Sequence, residues 1–255
     1  MSGSFVNVDR QDRVLVVTID RVERRNALHS PAHFEMSQIF DEFEADEALR
    51  VAIVTGAGDK AFCAGNDLKF QAEGGTLERP PTGFAGLTKR FGRTKPVIAA
   101  VNGVAFGGGF EIVLACDIVV AAQNARFCFP EVARGLVPLA GVHSLPRQIP
   151  HKIAMGLLLT GAEIDAQEAS ALGIVNEVCE SNRALTAALG WAARMLEGSP
   201  EAIRATLDMV ERGLQATSVE AAMTADYESL TRLRASHDFL EGPLAFAEKR
   251  KPRWQ

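Results

Sequence analysis

The chain has 255 residues, 47% hydrophobic and 23% charged, enough for one sizeable buried core. Its net charge of −5 argues against a nucleic-acid partner, which needs a basic stripe to displace phosphate counterions, but leaves an anionic small molecule open. No stretch approaches the roughly 18 apolar residues of a membrane span, and the run Val14–Ile19 is too short for a signal-peptide core, so no membrane partner or targeting segment is expected and the expected location is the cytoplasm.

In chain order, residues 5–9 and 14–20 are expected to pair as a hairpin across 10–13. Ser30-Pro31 then predicts a helix start, with Ser30 as N-cap and Pro31 in the first turn. Met36, Ile39, Phe40 and Phe43 follow at i, i+3, i+4 and i+7, the apolar stripe of a helix. Residues 51–55 form a short, nearly all-apolar run, as in a strand buried on both faces, and 96–101 and 117–122 repeat the pattern. Strand, helix and strand in this order predict right-handed crossovers.

Past about residue 140 the pattern changes. Asp165 with Glu168 three residues on predicts a capping box, and Gly173 a helix stop. Ser199-Pro200 opens another helix, with Ile203, Leu207, Val210 and Leu214 on one face, and residues 218–249 continue helical. The expected organisation is an α/β core over 1–195 followed by a helical region over 196–255. Cys63, Cys116, Cys128 and Cys179 form no CxxC pair and are expected as reduced thiols; no metal centre is expected from the five histidines, which lack an HExxH motif.

Three segments could carry chemistry. Residues 60–68 follow a buried strand, and Gly65 allows a sharp turn that brings neighbouring N–H groups toward a ligand. Gly107-Gly108-Gly109 lead into an apolar helix, where free N–H groups and the helix dipole favour a developing oxyanion; close helix–strand packing would equally call for glycine. Glu131 follows Phe129-Pro130 in an apolar neighbourhood that could raise its pKa and suit it to acid catalysis. Gly56-Ala57-Gly58 lacks the third glycine of a dinucleotide loop, and Ser144 lies outside any GxSxG elbow.

Together these segments resemble the enoyl-CoA hydratase (crotonase) family. The likeness rests on Arg25-Asn26-Ala27-Leu28, Ala61-Phe62-Cys63-Ala64-Gly65-Asn66-Asp67-Leu68, Lys95-Pro96-Val97-Ile98-Ala99-Ala100-Val101-Asn102-Gly103, residues 106–111, Phe129-Pro130-Glu131, Leu145-Pro146-Arg147 and residues 241–250, in order over nearly the whole chain. The resemblance implies a spiral of ββα units with a helical C-terminal trimerisation region, often paired into hexamers. It implies an acyl-CoA substrate, no separate cofactor, and reversible syn addition of water to a 2,3-enoyl-CoA through an enolate. The oxyanion donors would be the backbone N–H groups of Asn66 and Gly108, Asn66 being larger than the residue many members carry there. The catalytic carboxylates would be Glu111 and Glu131, one positioning water and the other supplying the α-proton. Contacts to CoA would come from Arg25, Ala27, Ala64, Gly65, Asp67 and Leu68, with Arg24 also able to meet phosphates.

A narrower resemblance, through residues 83–88, 105–111 and 242–250, is to carnitinyl-CoA dehydratases, although Leu139-Ala140-Gly141-Val142 departs from the expected pocket wall. An enoyl-CoA isomerase and a catalytically silent scaffold of the same fold are the remaining alternatives; two retained glutamates favour hydration over both. The pocket wall is expected to draw on residues 77–88 and 136–142.

Overall fold

The computed structural model describes residues 4–255. Strands β1 (Val6–Gln11) and β2 (Val14–Ile19) form the expected antiparallel hairpin. β3 (Val51–Gly56), β5 (Val97–Val101), β7 (Ile118–Ala122) and β10 (Glu177–Cys179) extend it as parallel neighbours in the order β1-β2-β3-β5-β7-β10. A second sheet of very short strands runs β4 (Ala61–Cys63), β6 (Val104–Phe106), β8 (Arg126–Cys128) and β9 (Ile164–Asp165), its first three members parallel.

Strands β2, β3, β5 and β7 are buried on both faces, and the two-residue period of a strand sorts their side chains. Leu15, Val17, Ala52, Val54, Ala99 and Val101 join α1 (Ser30–Ala45) in one core, where Met36, Phe40 and Phe43 are at most 1% exposed. Val14, Val16, Ile53, Ile98 and Val120 face the opposite side, where α7 (Ala184–Leu196) presents Ala184, Ala188 and Ala192. Alanine at i, i+4 and i+8 keeps that helix face flat enough to lie close on the sheet. Fully burying each large apolar side chain contributes about 1.5–3 kcal/mol.

Three times in succession a long strand of the first sheet is followed by a short strand of the second: β3 by β4, β5 by β6 and β7 by β8. α2 (Leu68–Ala72) leaves after β4, α3 (Gly108–Ala115) after β6, and a 3-10 turn over Pro130–Arg134 after β8. Since β4, β6 and β8 are adjacent and parallel, their C-terminal ends open at one edge, and the three segments singled out above come together there. Residues 64–68 therefore follow β4 rather than the longer strand before it, a three-residue strand being too short to show alternation in sequence.

α4 (Gly141–Gln148), α5 (His151–Thr160) and α6 (Ala166–Ala171) complete the core; Asp165 and Glu168 form the capping box, and Gly173 takes φ +81° just past α6. α8 (Pro200–Gly213), capped by Ser199, α9 (Val219–Thr224), α10 (Glu228–Ala235) and α11 (His237–Ala247) form the helical C-terminal region. Two expectations need correction. His29, not Ser30, stands at the N-cap of α1, because the Ser30 hydroxyl donates instead to the Thr76 carbonyl at 2.6 Å. The stripe along α8 is only partly covered: Val210 and Leu214 remain 56% and 84% exposed. Among the described residues no helix is long and apolar enough to cross a membrane.

Candidate active site

A cavity of about 460 Å³ lies where β4, β6 and β8 end, within the size range of small-molecule sites. Ala64, Gly65, Asn66, Leu68, Gly108, Glu111 and Glu131 all line it. Leu77, Phe84 and the stretch from Leu136 to Leu139 supply wall, in agreement with the segments expected from sequence.

The β4 turn and the start of α3 meet closely. Gly65 adopts φ +93°, and a Cβ there would lie 2.7 Å from the Phe106 carbonyl oxygen and 3.3 Å from the Gly108 nitrogen. Only glycine fits the conformation and the space, and its absent side chain leaves the Gly108 N–H uncovered. Gly107 takes φ +54°, and a Cβ would come within 2.8 Å of Glu131 Oε1, so this glycine makes room for the carboxyl. Neither the Asn66 nor the Gly108 N–H finds an acceptor among the described residues. For Gly108 this follows from its place in the first helical turn, whose N–H groups have no partner within the helix.

The two carboxyl groups sit in different environments. Glu111, on α3 and 5% exposed, has Oε1 held by the Ala140 N–H at 2.7 Å and the Gly141 N–H at 3.0 Å. Those donors belong to the N-terminal end of α4, whose dipole also favours a negative charge. Glu131, half-buried in the turn after β8, has only its own backbone N–H in support, and its Oε2 is buried without a partner among the described residues. Burial pushes its carboxyl up to about 7, and the charge on Glu111 adds to the rise.

The lip is fixed by an inner layer of polar contacts. Residues 25–28 run beside 64–67: the Ala64 N–H donates to Arg25 O, Leu28 to Gly65 O and Asp67 to Leu28 O. Arg21, 8% exposed, donates to the Ala27 carbonyl and pairs with Asp67 at 2.9 Å. Asp67 also caps α2 through the Phe70 N–H. Its carboxylate is thus taken up internally; Arg25, Ala27 and Asp67 do not line the cavity but shape its edge. Asn26 and Asn102 tie together the turns around β3 and β4, both donating to the Ala61 carbonyl. On the far side, His33 Nδ1 accepts from the Ala85 N–H at 3.1 Å, steadying a non-glycine residue at φ +54° next to Phe84. Burial pushes the His33 imidazole down to about 3, so it stays neutral. His29 and His33 lie four residues apart, yet no group of three or more potential metal ligands forms among the described residues.

Ala140 and Gly141 were expected in the pocket wall but not as donors to Glu111, and Arg21 and His33 were not evident in the sequence as parts of the site. Each acts on a partner 29 to 52 positions away, and no local motif marks such pairs.

The family model for enoyl-CoA hydratase/isomerase matches residues 9–255. The chain belongs to this family. It is 44% identical to a carnitinyl-CoA dehydratase of Citrobacter koseri over 257 residues, covering 96% of both chains. Among solved structures, an enoyl-CoA hydratase from Mycobacterium tuberculosis superposes with a TM-score of 0.92 at 39% identity and 99% coverage of each chain. A carnitinyl-CoA hydratase from Mycobacterium avium does so with a TM-score of 0.79 at 38% identity, covering 100% of this chain and 99% of its own. The arrangement of ββα units described above is thus the family's α/β crotonase fold.

Proposed function

We propose that the protein is a hydro-lyase that adds water to, or removes it from, the 2,3-position of an acyl-CoA thioester. The observation that carries this is the pair of glutamates in one cavity, Glu111 held by two N–H groups and Glu131 raised to about 7, beside two unpartnered backbone donors. The Asn66 and Gly108 N–H groups would receive the thioester oxygen and stabilise the enolate as its charge grows, a contribution of about 3–4 kcal/mol for a well-placed donor. Glu111 would hold and activate water for the β-carbon, and Glu131, near half-protonated at neutral pH, would deliver the α-proton. Delivery of both from one side of the substrate corresponds to syn addition. The two carboxyls titrate as a coupled pair, and in the reverse direction their roles exchange.

No cofactor beyond the CoA of the substrate is needed for this chemistry. Ala64, Gly65 and Leu68 would touch the CoA arm, while Arg25, Ala27 and Asp67 would act from the lip. The 44% identity to a protein named carnitinyl-CoA dehydratase favours a second reading, the same chemistry run as dehydration on a carnitinyl thioester. We also propose a functional division into 1–195 and 196–255 and a trimeric or hexameric assembly. Leu214, Met223, Leu240 and Phe246 support the latter, being 71% exposed or more in the single chain. Four free thiols fit a reducing cytoplasm.

The test is incubation with crotonyl-CoA, following loss of the conjugated-thioester absorbance and the mass of the product. Formation of the 3-hydroxyacyl thioester is expected; an unchanged substrate mass with crotonyl-CoA and with longer enoyl-CoA esters would sink the proposal.

A further inference from the structure

The cavity carries a cation that the hydration chemistry does not use. Its charged lining groups are Arg79, Glu111, Glu131 and Arg134. Arg134 is exposed and donates to Pro130 O. Arg79 is half-buried and makes no ion pair or hydrogen bond among the described residues. Its guanidinium lies 5.2 Å from the centroid of the Phe84 ring, and this same ring is what a Cβ on Gly108 would strike, at 2.4 Å. Arg79 is therefore about one aromatic ring away from a proposed oxyanion donor. The guanidinium sits over Phe84, but its five N–H donors find no acceptor among the described residues, a strong demand for a group partly withdrawn from water.

The same cavity has an apolar lining in Leu77, Leu136, Val137 and Leu139. Such walls suit the methylenes of an acyl chain, and a guanidinium with an open edge suits a carboxylate through paired N–H···O bonds. The CoA phosphates are a poorer match, because they lie a whole pantetheine arm from the thioester whereas Arg79 lies close to its proposed oxygen site. A quaternary ammonium is poorer still. Beside Phe84 it would meet the Arg79 guanidinium, whereas the two carboxyls of the cavity are placed elsewhere, Glu131 against Gly107 and Glu111 on the Ala140 N–H.

Resting on the hydro-lyase reading, and opposed to its carnitinyl alternative, we infer that Arg79 is a specificity residue selecting acyl-CoA thioesters whose acyl chain ends in a carboxylate, and disfavouring those with a cationic end. The experiment compares kcat/KM for three 2-enoyl thioesters: crotonyl-CoA, 4-carboxybut-2-enoyl-CoA and 4-trimethylammoniobut-2-enoyl-CoA. The wild type, Arg79→Lys, Arg79→Gln and Arg79→Glu are measured with each, and free CoA is titrated into all four. The wild type is expected to prefer the carboxylate ester over the trimethylammonium ester. Arg79→Glu should lower that ratio by about two orders of magnitude, Arg79→Gln by less, and Arg79→Lys least, with free CoA affinity little moved. If the wild type hydrates crotonyl-CoA but shows no such preference, or if Arg79→Glu weakens all three esters and free CoA alike, the inference is overturned and Arg79 meets the CoA moiety instead. If the wild type hydrates none of the three, the hydro-lyase reading itself fails and takes this inference with it.

Discussion

At Glu131, burial and the neighbouring charge of Glu111 act in the same direction, and the result is a carboxyl that gains or loses its proton near pH 7. Because the folded pKa is raised above the ordinary 4.5, the folded chain binds this proton more tightly than the unfolded chain. The stability it contributes is complete below about 4.5 and is lost as pH rises through about 7. Glu131→Gln removes the ionisable group, so its stability relative to wild type is expected to rise between pH 6 and pH 8, measured as the difference in urea midpoint at the two values (about one pH step either side of 7). No change in that difference would mean that Glu131 is not held as described. Catalysis should follow the same group: kcat/KM for hydration falls above about pH 7, where the acid is lost, and kcat/KM for dehydration falls below it, where the base is lost. Glu111 separates two roles. Glu111→Gln keeps an oxygen for the Ala140 and Gly141 N–H groups, whereas Glu111→Ala leaves both without an acceptor. The alanine variant is expected to lose about 1–3 kcal/mol more stability in urea than the glutamine variant, while both lose hydration activity. Equal stabilities would show that these donors do not depend on the carboxylate.

Among the elements, the junction of the β4 turn with α3 has the least tolerance. Gly65→Ala places a Cβ at φ +93° and 2.7 Å from the Phe106 carbonyl. A cost of about 1–3 kcal/mol is expected, together with a fall in kcat, since the displaced turn carries the Asn66 N–H. Arg21→Met leaves the 4%-exposed Asp67 without its cation and is expected to cost about 3–5 kcal/mol by urea denaturation; a loss below 1 kcal/mol would show that the pair does not hold the lip. What the sequence made legible at this scale was what repeats locally. The apolar runs of β3, β5 and β7, the stripe of α1, the Asp165 capping box and the Ser199 cap all have a period or a fixed offset. The three-residue strands β4, β6 and β8 have neither, and they are the elements that aim the site. Ser30 shows the limit of a local rule, its hydroxyl being drawn to Thr76, 46 positions away.

For the molecule as a whole, the repeated ββα unit explains why residues 64–66, 107–111 and 130–131 meet, since each group follows one of three adjacent parallel strands. Of the residues that the family resemblance picked out, Ala64, Gly65, Asn66, Leu68, Gly108, Glu111 and Glu131 line the cavity. The raised carboxyl of Glu131 was expected from its apolar neighbours, but the contrasting support of Glu111 was not, because it depends on α4 reaching that carboxylate. The exposed apolar residues of the C-terminal helices belong to this scale too. Light scattering is expected to give three or six times the 27.4 kDa chain mass, and a monomer would contradict the proposed assembly. The central claim is that Glu131 and Glu111 together run hydration on an enolate held by two backbone donors. Its most direct test is kcat for crotonyl-CoA in wild type and Glu131→Gln, with circular dichroism confirming an unchanged fold. The account predicts a loss of about 100-fold or more in the variant. Turnover within a few-fold of wild type would contradict it.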